Sequence, residues 1–183
     1  MLKIPLRRSP CGVFFMIRPE VAAVPARAKE KTMYRIRTEQ SFDSAHFLKD
    51  YIGKCHNLHG HRWRVVAEAA GEGLSRETQT RGMLFDFGDM KAALKELCDA
   101  LDHCFIYEEG SLRERTVKAL REEDFRLVEV PFRPTAENFA RYFFEEMRKK
   151  GFSMSRVEVY ETPNNCAVYE ETETGTDTGV FGE

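Results

Sequence analysis

Four of the chain's five histidines stand at positions 46, 56, 59 and 61, and three of them share the segment Cys55-His56-Asn57-Leu58-His59-Gly60-His61. Residues two apart on a strand project from the same face, so His59 and His61 can offer two imidazoles to one metal ion while Gly60 leaves the other face open. A third donor must come from elsewhere. His46, near the end of the preceding strand, is suited to it, because antiparallel neighbours sit roughly 4.8 Å apart. Three neutral imidazoles with an open fourth position describe a catalytic zinc site, in which the ion polarises a bound oxygen and lowers its pKa. A lone His-x-His pair is more often just the lining of a polar sheet face; His46 and Cys55 nearby shift the balance to metal.

Cys55 admits three readings. It can be a fourth ligand that closes the site and makes the metal structural, a buried thiol of no consequence, or a thiolate base or nucleophile favoured by Lys54 and the ion. The closed version would suit a zinc-stabilised nucleic-acid-binding module with Arg62, Trp63 and Arg64 as its contacts. His56 faces away from His59 and His61 and reads as a surface residue. Asp102 and His103 offer a carboxylate beside an imidazole, a pairing that fixes a tautomer and aids proton transfer. They follow a helix, however, and adjacent residues on a regular helix diverge, so the pair requires that the helix has ended. Glu161 shares a strand face with Val157 and Val159, where a carboxylate needs either a salt bridge or a ligand's amino groups.

The elements that carry these residues follow from periodicity. From Tyr34 the chain alternates, with Ile36, Phe42 and His46 on one parity and Arg35, Arg37, Glu39, Ser41 and Asp43 on the other. A second strand over 59–70 puts His59, His61, Trp63, Val65 and Ala67 on one face and ends at Gly71-Glu72-Gly73. Asp86 reads as the N-cap of a helix with the stripe Phe87, Met90, Ala93, Leu94, Leu97, Cys98 and Leu101. A charged surface helix is expected within 111–124, and a short strand over 125–132. Thr135 caps a further helix with Phe139, Tyr142, Phe143 and Met147 inward and Gly151 at its end. Strands over 156–162 and 166–170 close the order, joined by Pro163-Asn164-Asn165. This is α+β, helices laid over an antiparallel sheet.

With 183 residues the chain is expected to form one domain with one site. Residues 1–32 hold seven Lys or Arg against two Asp or Glu and four of the seven prolines, and read as a disordered extension or as sequence ahead of a start at Met33. Residues 33–170 form the catalytic domain on this reading, and 171–183 a flexible tail. A net charge of −2, with the basic arm set against an acidic body, argues against nucleic acid as the main partner. Five cysteines without paired spacing point to a reducing cytoplasm, and the short apolar run 13–17 is too short for an export signal. No stretch approaches the roughly 20 apolar residues of a membrane span.

Six segments in order give the chain a resemblance. They are Phe42-Asp43-Ser44-Ala45-His46, Cys55 to His61, Asp86-Phe87-Gly88, Leu101-Asp102-His103, Pro134-Thr135-Ala136-Glu137-Asn138 and Glu161-Thr162. Together they resemble the family of 6-pyruvoyl-tetrahydropterin and 6-carboxy-5,6,7,8-tetrahydropterin synthases, across 33–170. The resemblance implies a T-fold: a four-stranded antiparallel sheet with helices on one face, assembling into an oligomeric barrel. It implies zinc on His46, His59 and His61, a catalytic thiolate at Cys55, and proton transfer by Asp102 and His103. Glu161 would then anchor the pterin as a bidentate acceptor, Thr135 would touch the ring, and Lys54 and Arg133 would meet the triphosphate. The family further implies a homo-oligomer with active sites at subunit interfaces. Three residues separate Cys55 from His59, similar to the carboxy-tetrahydropterin synthases of queuosine biosynthesis, and the branch that replaces this cysteine with a glutamate to serve folate synthesis is disfavoured, since Cys55 is present and 56–58 contain no Glu. The implied reaction takes 7,8-dihydroneopterin triphosphate to 6-carboxy-5,6,7,8-tetrahydropterin, acetaldehyde and triphosphate, with 6-pyruvoyl-tetrahydropterin as the alternative product. The basic arm and the long segment 108–132 depart from the family pattern.

Overall fold

A computed structural model describes residues 33–171, all within one compact unit, Thr32–Glu183. The expectations for 1–32 and for 172–183 lie outside the described residues. Glu171, expected to begin the loose tail, is held by Arg148, whose guanidinium donates to both carboxylate oxygens at 2.8 and 2.9 Å. Among the described residues no helix is long and apolar enough to cross a membrane.

Alternation produces two long strands, β1 (Tyr34–His46) and β2 (His59–Gly71), paired antiparallel so that Phe42 lies opposite Trp63, Ser44 opposite His61 and His46 opposite His59. Their shared inner face carries Phe42, Trp63, Val65 and Ala67, all buried. Helix α1 (Phe87–Leu101) starts at Asp86, whose carboxylate accepts from Gly88 N at 2.6 Å, and turns Met90, Leu94, Leu97, Cys98 and Leu101 inward. Phe87, read as part of that stripe, is 61% exposed: at the first helical position the turn overhangs the core edge. Helix α3 (Ala136–Lys149) is capped by Thr135 and supplies Phe139, Phe143, Phe144 and Met147 to the same core. Strands β5 (Met154–Thr162) and β6 (Asn165–Glu170) complete the antiparallel part.

The sheet corrects the four-stranded antiparallel expectation: it has six strands, in the order β4-β3-β1-β2-β5-β6. β3 (Cys104–Glu108) and β4 (Leu127–Val130) run parallel to each other, and β3 runs parallel to β1. Parallel neighbours need a crossover, and α2 (Glu114–Glu122), which buries no residue, makes it. The departure from antiparallel pairing thus begins at β3, directly after Asp102-His103, and continues into the long segment 108–132 that supplies α2 and β4.

Candidate active site

Register alone brings the three histidines together. His46 and His59 are cross-strand partners, His61 follows two places on, and the imidazole centroids lie 4.4, 4.9 and 5.2 Å apart. Beneath them the fully buried Trp63 ring stacks on Phe42 and meets Phe139 edge-on, so the site stands on a packed aromatic floor. Gly60 serves the close pairing of the strands: a Cβ there would stand 3.3 Å from the Ser44 carbonyl oxygen.

Two backbone carbonyls set the tautomers. His46 Nδ1 lies 2.7 Å from the Pro134 oxygen and His59 Nδ1 lies 2.8 Å from the Asn57 oxygen. A carbonyl only accepts, so each Nδ1 carries the proton and each Nε2 presents a lone pair. Burial pushes the His46 pKa down to about 4, against the pull of the Pro134 carbonyl and aided by His59 and His61. His61 is lowered too, by burial first, with Glu161 opposing and His59 adding. Neutral imidazole is the form that binds metal.

The Nε2 atoms of His46, His59 and His61 are all buried without a hydrogen-bond partner, and the group's ligand atoms lie within 4.8 Å of one another. Three buried acceptors facing each other without a donor are costly unless a cation stands among them. The residues therefore fit a metal ion. Cys55 is not in this group, so the closed-site reading loses its fourth ligand. Of the contacts a nucleic-acid module would use, Trp63 is fully buried, while Arg64 pairs with Glu39 at 3.1 Å and Arg62 lies 3.7 Å from Asp43.

Cys55 sits in a short 3₁₀ turn, Lys54–His56, with Lys54 and His56 exposed. It lines a cleft of about 310 Å³ together with Tyr51, Thr135, Glu161 and Cys166. Cys166, exposed near the start of β6, thus belongs to the cleft wall. Glu161 falls in the stretch between Tyr160 and Thr162 where the pairing of β5 with β6 shifts register. Its carboxylate lies 3.6 Å from His46 Nε2 and 3.7 Å from His61 Nε2. Among the described residues no Lys or Arg forms an ion pair with it, so its charge faces the histidine group and the cleft. The Thr135 hydroxyl accepts from Asn138 N at 3.4 Å and keeps its own proton to donate. Arg133 is turned onto the chain, with Nη2 donating to the Lys49 carbonyl at 2.6 Å.

Asp102 and His103 do pair, because α1 has ended. Asp102 is the C-cap in extended conformation and His103 is left-handed, with φ 50°. The Arg126 guanidinium donates to the carbonyls of Asp99, Ala100 and Asp102 at 2.8 to 3.2 Å and so takes up the helix's last acceptors. Asp102 Oδ2 accepts from His103 Nδ1 at 2.7 Å, while its Oδ1 accepts from Asp43 N at 2.8 Å. The Asp43 N–H holds the Asp102 carboxyl below the usual range, against partial burial and helped by His103. His103 Nε2 is left free on a side chain that is 80% exposed.

The pair does not share the Cys55 cleft. His103 lines a different cavity, of about 730 Å³, with Asp43, Ala45, Gly60 and Arg62 and, from the histidine group, His61; Cys55 is not part of its wall. Within one chain the thiol and the imidazole therefore stand at different openings. Sequence reasoning missed the two tautomer-setting carbonyls and the end of α1 at Arg126, since neither a carbonyl nor a contact 24 residues away leaves a local signal.

The family model described as 6-pyruvoyl tetrahydropterin synthase matches residues 35–172. The chain is 37% identical over 142 residues to a 6-carboxy-5,6,7,8-tetrahydropterin synthase of Haemophilus influenzae, covering 76% of this chain and 100% of the relative. It is 34% identical to a protein of Pyrococcus abyssi named as a putative enzyme of that kind, over 73% of this chain and 87% of the other. In structure it resembles the 6-pyruvoyl tetrahydropterin synthase of Plasmodium vivax, with TM-score 0.56 and 19% identity, over 76% of this chain and 98% of that one.

Proposed function

Because the chain belongs to the 6-pyruvoyl tetrahydropterin synthase family, we propose that it converts 7,8-dihydroneopterin triphosphate to 6-carboxy-5,6,7,8-tetrahydropterin, acetaldehyde and triphosphate, a step of queuosine biosynthesis, in the cytoplasm. The observation that carries the reading is the convergence of three donor-less Nε2 atoms beside a cleft lined by Cys55, Thr135 and Glu161. His46, His59 and His61 would hold zinc. Bound there, zinc would polarise the substrate's side-chain hydroxyls and ease their ionisation. Cys55 takes a proton from the side chain of the substrate. Glu161 accepts from the pterin's 2-amino group and ring N–H, two parallel donors for one carboxylate, and the Thr135 hydroxyl donates to the ring. Lys54, exposed at the cleft's turn, meets the triphosphate.

Asp102 orients His103 so that its Nε2 receives and returns protons. Since His103 opens on a different cavity from Cys55, the complete site is proposed to form between subunits of a homo-oligomer, each chain giving its Asp102–His103 pair to a neighbour. The relatives named as carboxy-tetrahydropterin synthases favour the carboxylate product over the pyruvoyl one. Incubation with dihydroneopterin triphosphate, with and without a chelator, tests this by mass spectrometry. Acetaldehyde and 6-carboxy-tetrahydropterin are expected without chelator only; 6-pyruvoyl-tetrahydropterin in their place overturns the product assignment.

A further inference from the structure

The loop between His46 and His59, residues 47–58, carries Cys55 and must hold its thiol at the cleft. Part of its shape is internal. Leu48 N donates to the Cys55 carbonyl at 2.8 Å, and Asn57 N donates to the Lys54 carbonyl at 3.0 Å. The loop tip is held from outside. Arg133 Nη2 donates to the Lys49 carbonyl at 2.6 Å, and the guanidinium stands 6.0 Å over the Tyr51 ring, which itself lines the Cys55 cleft.

Arg133 is itself anchored. Its carbonyl accepts from Asn138 Nδ2 at 2.9 Å and from Thr135 N at 2.8 Å, and the next carbonyl, that of Pro134, accepts from His46 Nδ1. One short segment thus orients a metal-facing imidazole through Pro134, the cap of α3 through Thr135, and the cysteine loop through Arg133. The Arg133 Nε is buried without a partner, an unfavourable state for a donor. A side chain that only reached for a solvent-borne phosphate would not incur it.

We infer that Arg133 is a positioning residue: it clamps the 47–58 loop through Lys49 and Tyr51 so that the Cys55 thiol is held in register with the three imidazoles. This rests on the reading of Cys55 as the reacting thiol. A planar guanidinium suits the task, since it can donate to a carbonyl and lie over a ring at once, which an ammonium does less well.

The test is the rate at which iodoacetamide alkylates Cys55 in the full-length protein without substrate, followed by peptide mass spectrometry in wild type, Arg133→Ala and Arg133→Lys. The alanine variant is expected to react at least about fivefold faster as the loop opens, and the lysine variant, which still donates to the Lys49 carbonyl, within about twofold of wild type. With pterin triphosphate, kcat is expected to fall about tenfold or more in the alanine variant while KM moves less than about twofold. An unchanged alkylation rate overturns the proposal, as does faster alkylation without a fall in kcat. A raised KM at unchanged kcat and alkylation assigns Arg133 to the triphosphate instead. Should the alanine variant not fold, Tyr51→Leu removes the other half of the contact and must speed alkylation likewise; a wild-type rate there overturns the clamp. Alkylation requires no turnover, so wild-type protein inactive on the pterin would sink the proposed reaction and not this inference.

Discussion

Replacing Cys55 by alanine separates the thiol from the metal. Ligand atoms in the histidine group lie within 4.8 Å of one another. Zinc–nitrogen bonds of about 2.0–2.1 Å in tetrahedral array put their nitrogens about 3.4 Å apart. The rings therefore close by roughly 1 Å, which rotation about their own side-chain bonds supplies, and no sulfur is involved. The zinc Kd of Cys55→Ala is accordingly expected within about threefold of wild type, under about 0.7 kcal/mol. His59→Asn removes one of three ligands and is expected to weaken zinc by more than the 10- to 100-fold, roughly, that loss of an outer-shell partner costs. At zinc about 1,000 times Kd, binding stabilises the fold by about 4 kcal/mol. For a chain of this length that amounts to roughly 8–16 °C in Tm. Metal analysis after gel filtration and melts with and without chelator read both quantities. Cys55→Ala should keep about one zinc per chain and the full chelator-sensitive Tm shift while losing turnover; His59→Asn should lose both metal and shift. A Cys55→Ala protein that holds less than about half a zinc per chain would falsify the open three-histidine site.

Asp102→Asn presents an amide N–H to His103 Nδ1 and reverses its tautomer; kcat should drop by about 10² or more, with KM and Tm nearly unchanged, and a wild-type kcat removes the pair from catalysis. Burial pushes the Cys98 thiol up to about 12 and Cys104 up to about 11, so at pH 8 under about 1 in 10³ of either is thiolate. Iodoacetamide should leave both peptides unlabelled until the protein is unfolded, and labelling of either in the native state refutes that burial. Phe139→Ala opens a cavity against Phe42, Trp63 and Phe132 and is expected to cost about 3–5 kcal/mol by denaturant titration. Co-expression of Cys55→Ala with Asp102→Asn should restore roughly one quarter of wild-type activity if each site draws the two residues from different chains. If both came from one chain, every site would keep a defect and the mixture would stay as inactive as its parents.

How much of this was legible in the sequence depends on the range of the interaction that fixes each residue. His46, His59 and His61 were readable because a strand's period and its antiparallel partner are nearest-neighbour facts, and the register then puts His46 opposite His59. The same holds for Asp86 and Thr135, whose caps are made to N–H groups two and three residues on. Phe87 shows the limit of periodicity: its place in the stripe was right and its burial wrong, because the first helical residue overhangs the edge of the core that Met90 enters three residues on. β3 was hidden for a related reason. Cys104-Phe105-Ile106-Tyr107 follows α1 after only two residues, with no Gly or Pro to mark a turn, so an apolar run there reads as equally good helix.

The last carbonyls of α1 are taken up by Arg126, met only after the chain has passed through β3 and α2. With Asp43, whose carbonyl accepts from His103 N at 2.6 Å, that contact holds the turn in which Asp102 and His103 meet across 2.7 Å, so the pair draws on the segment 108–132 that looked like a departure from the family pattern. Because β3 continues from His103 along the β1 edge, His103 is held on the Asp43 side of the sheet, away from its own Cys55. The strand that begins at Cys104 thus fixes on which side of β1 the imidazole emerges, the placement on which the proposed sharing of sites between subunits rests.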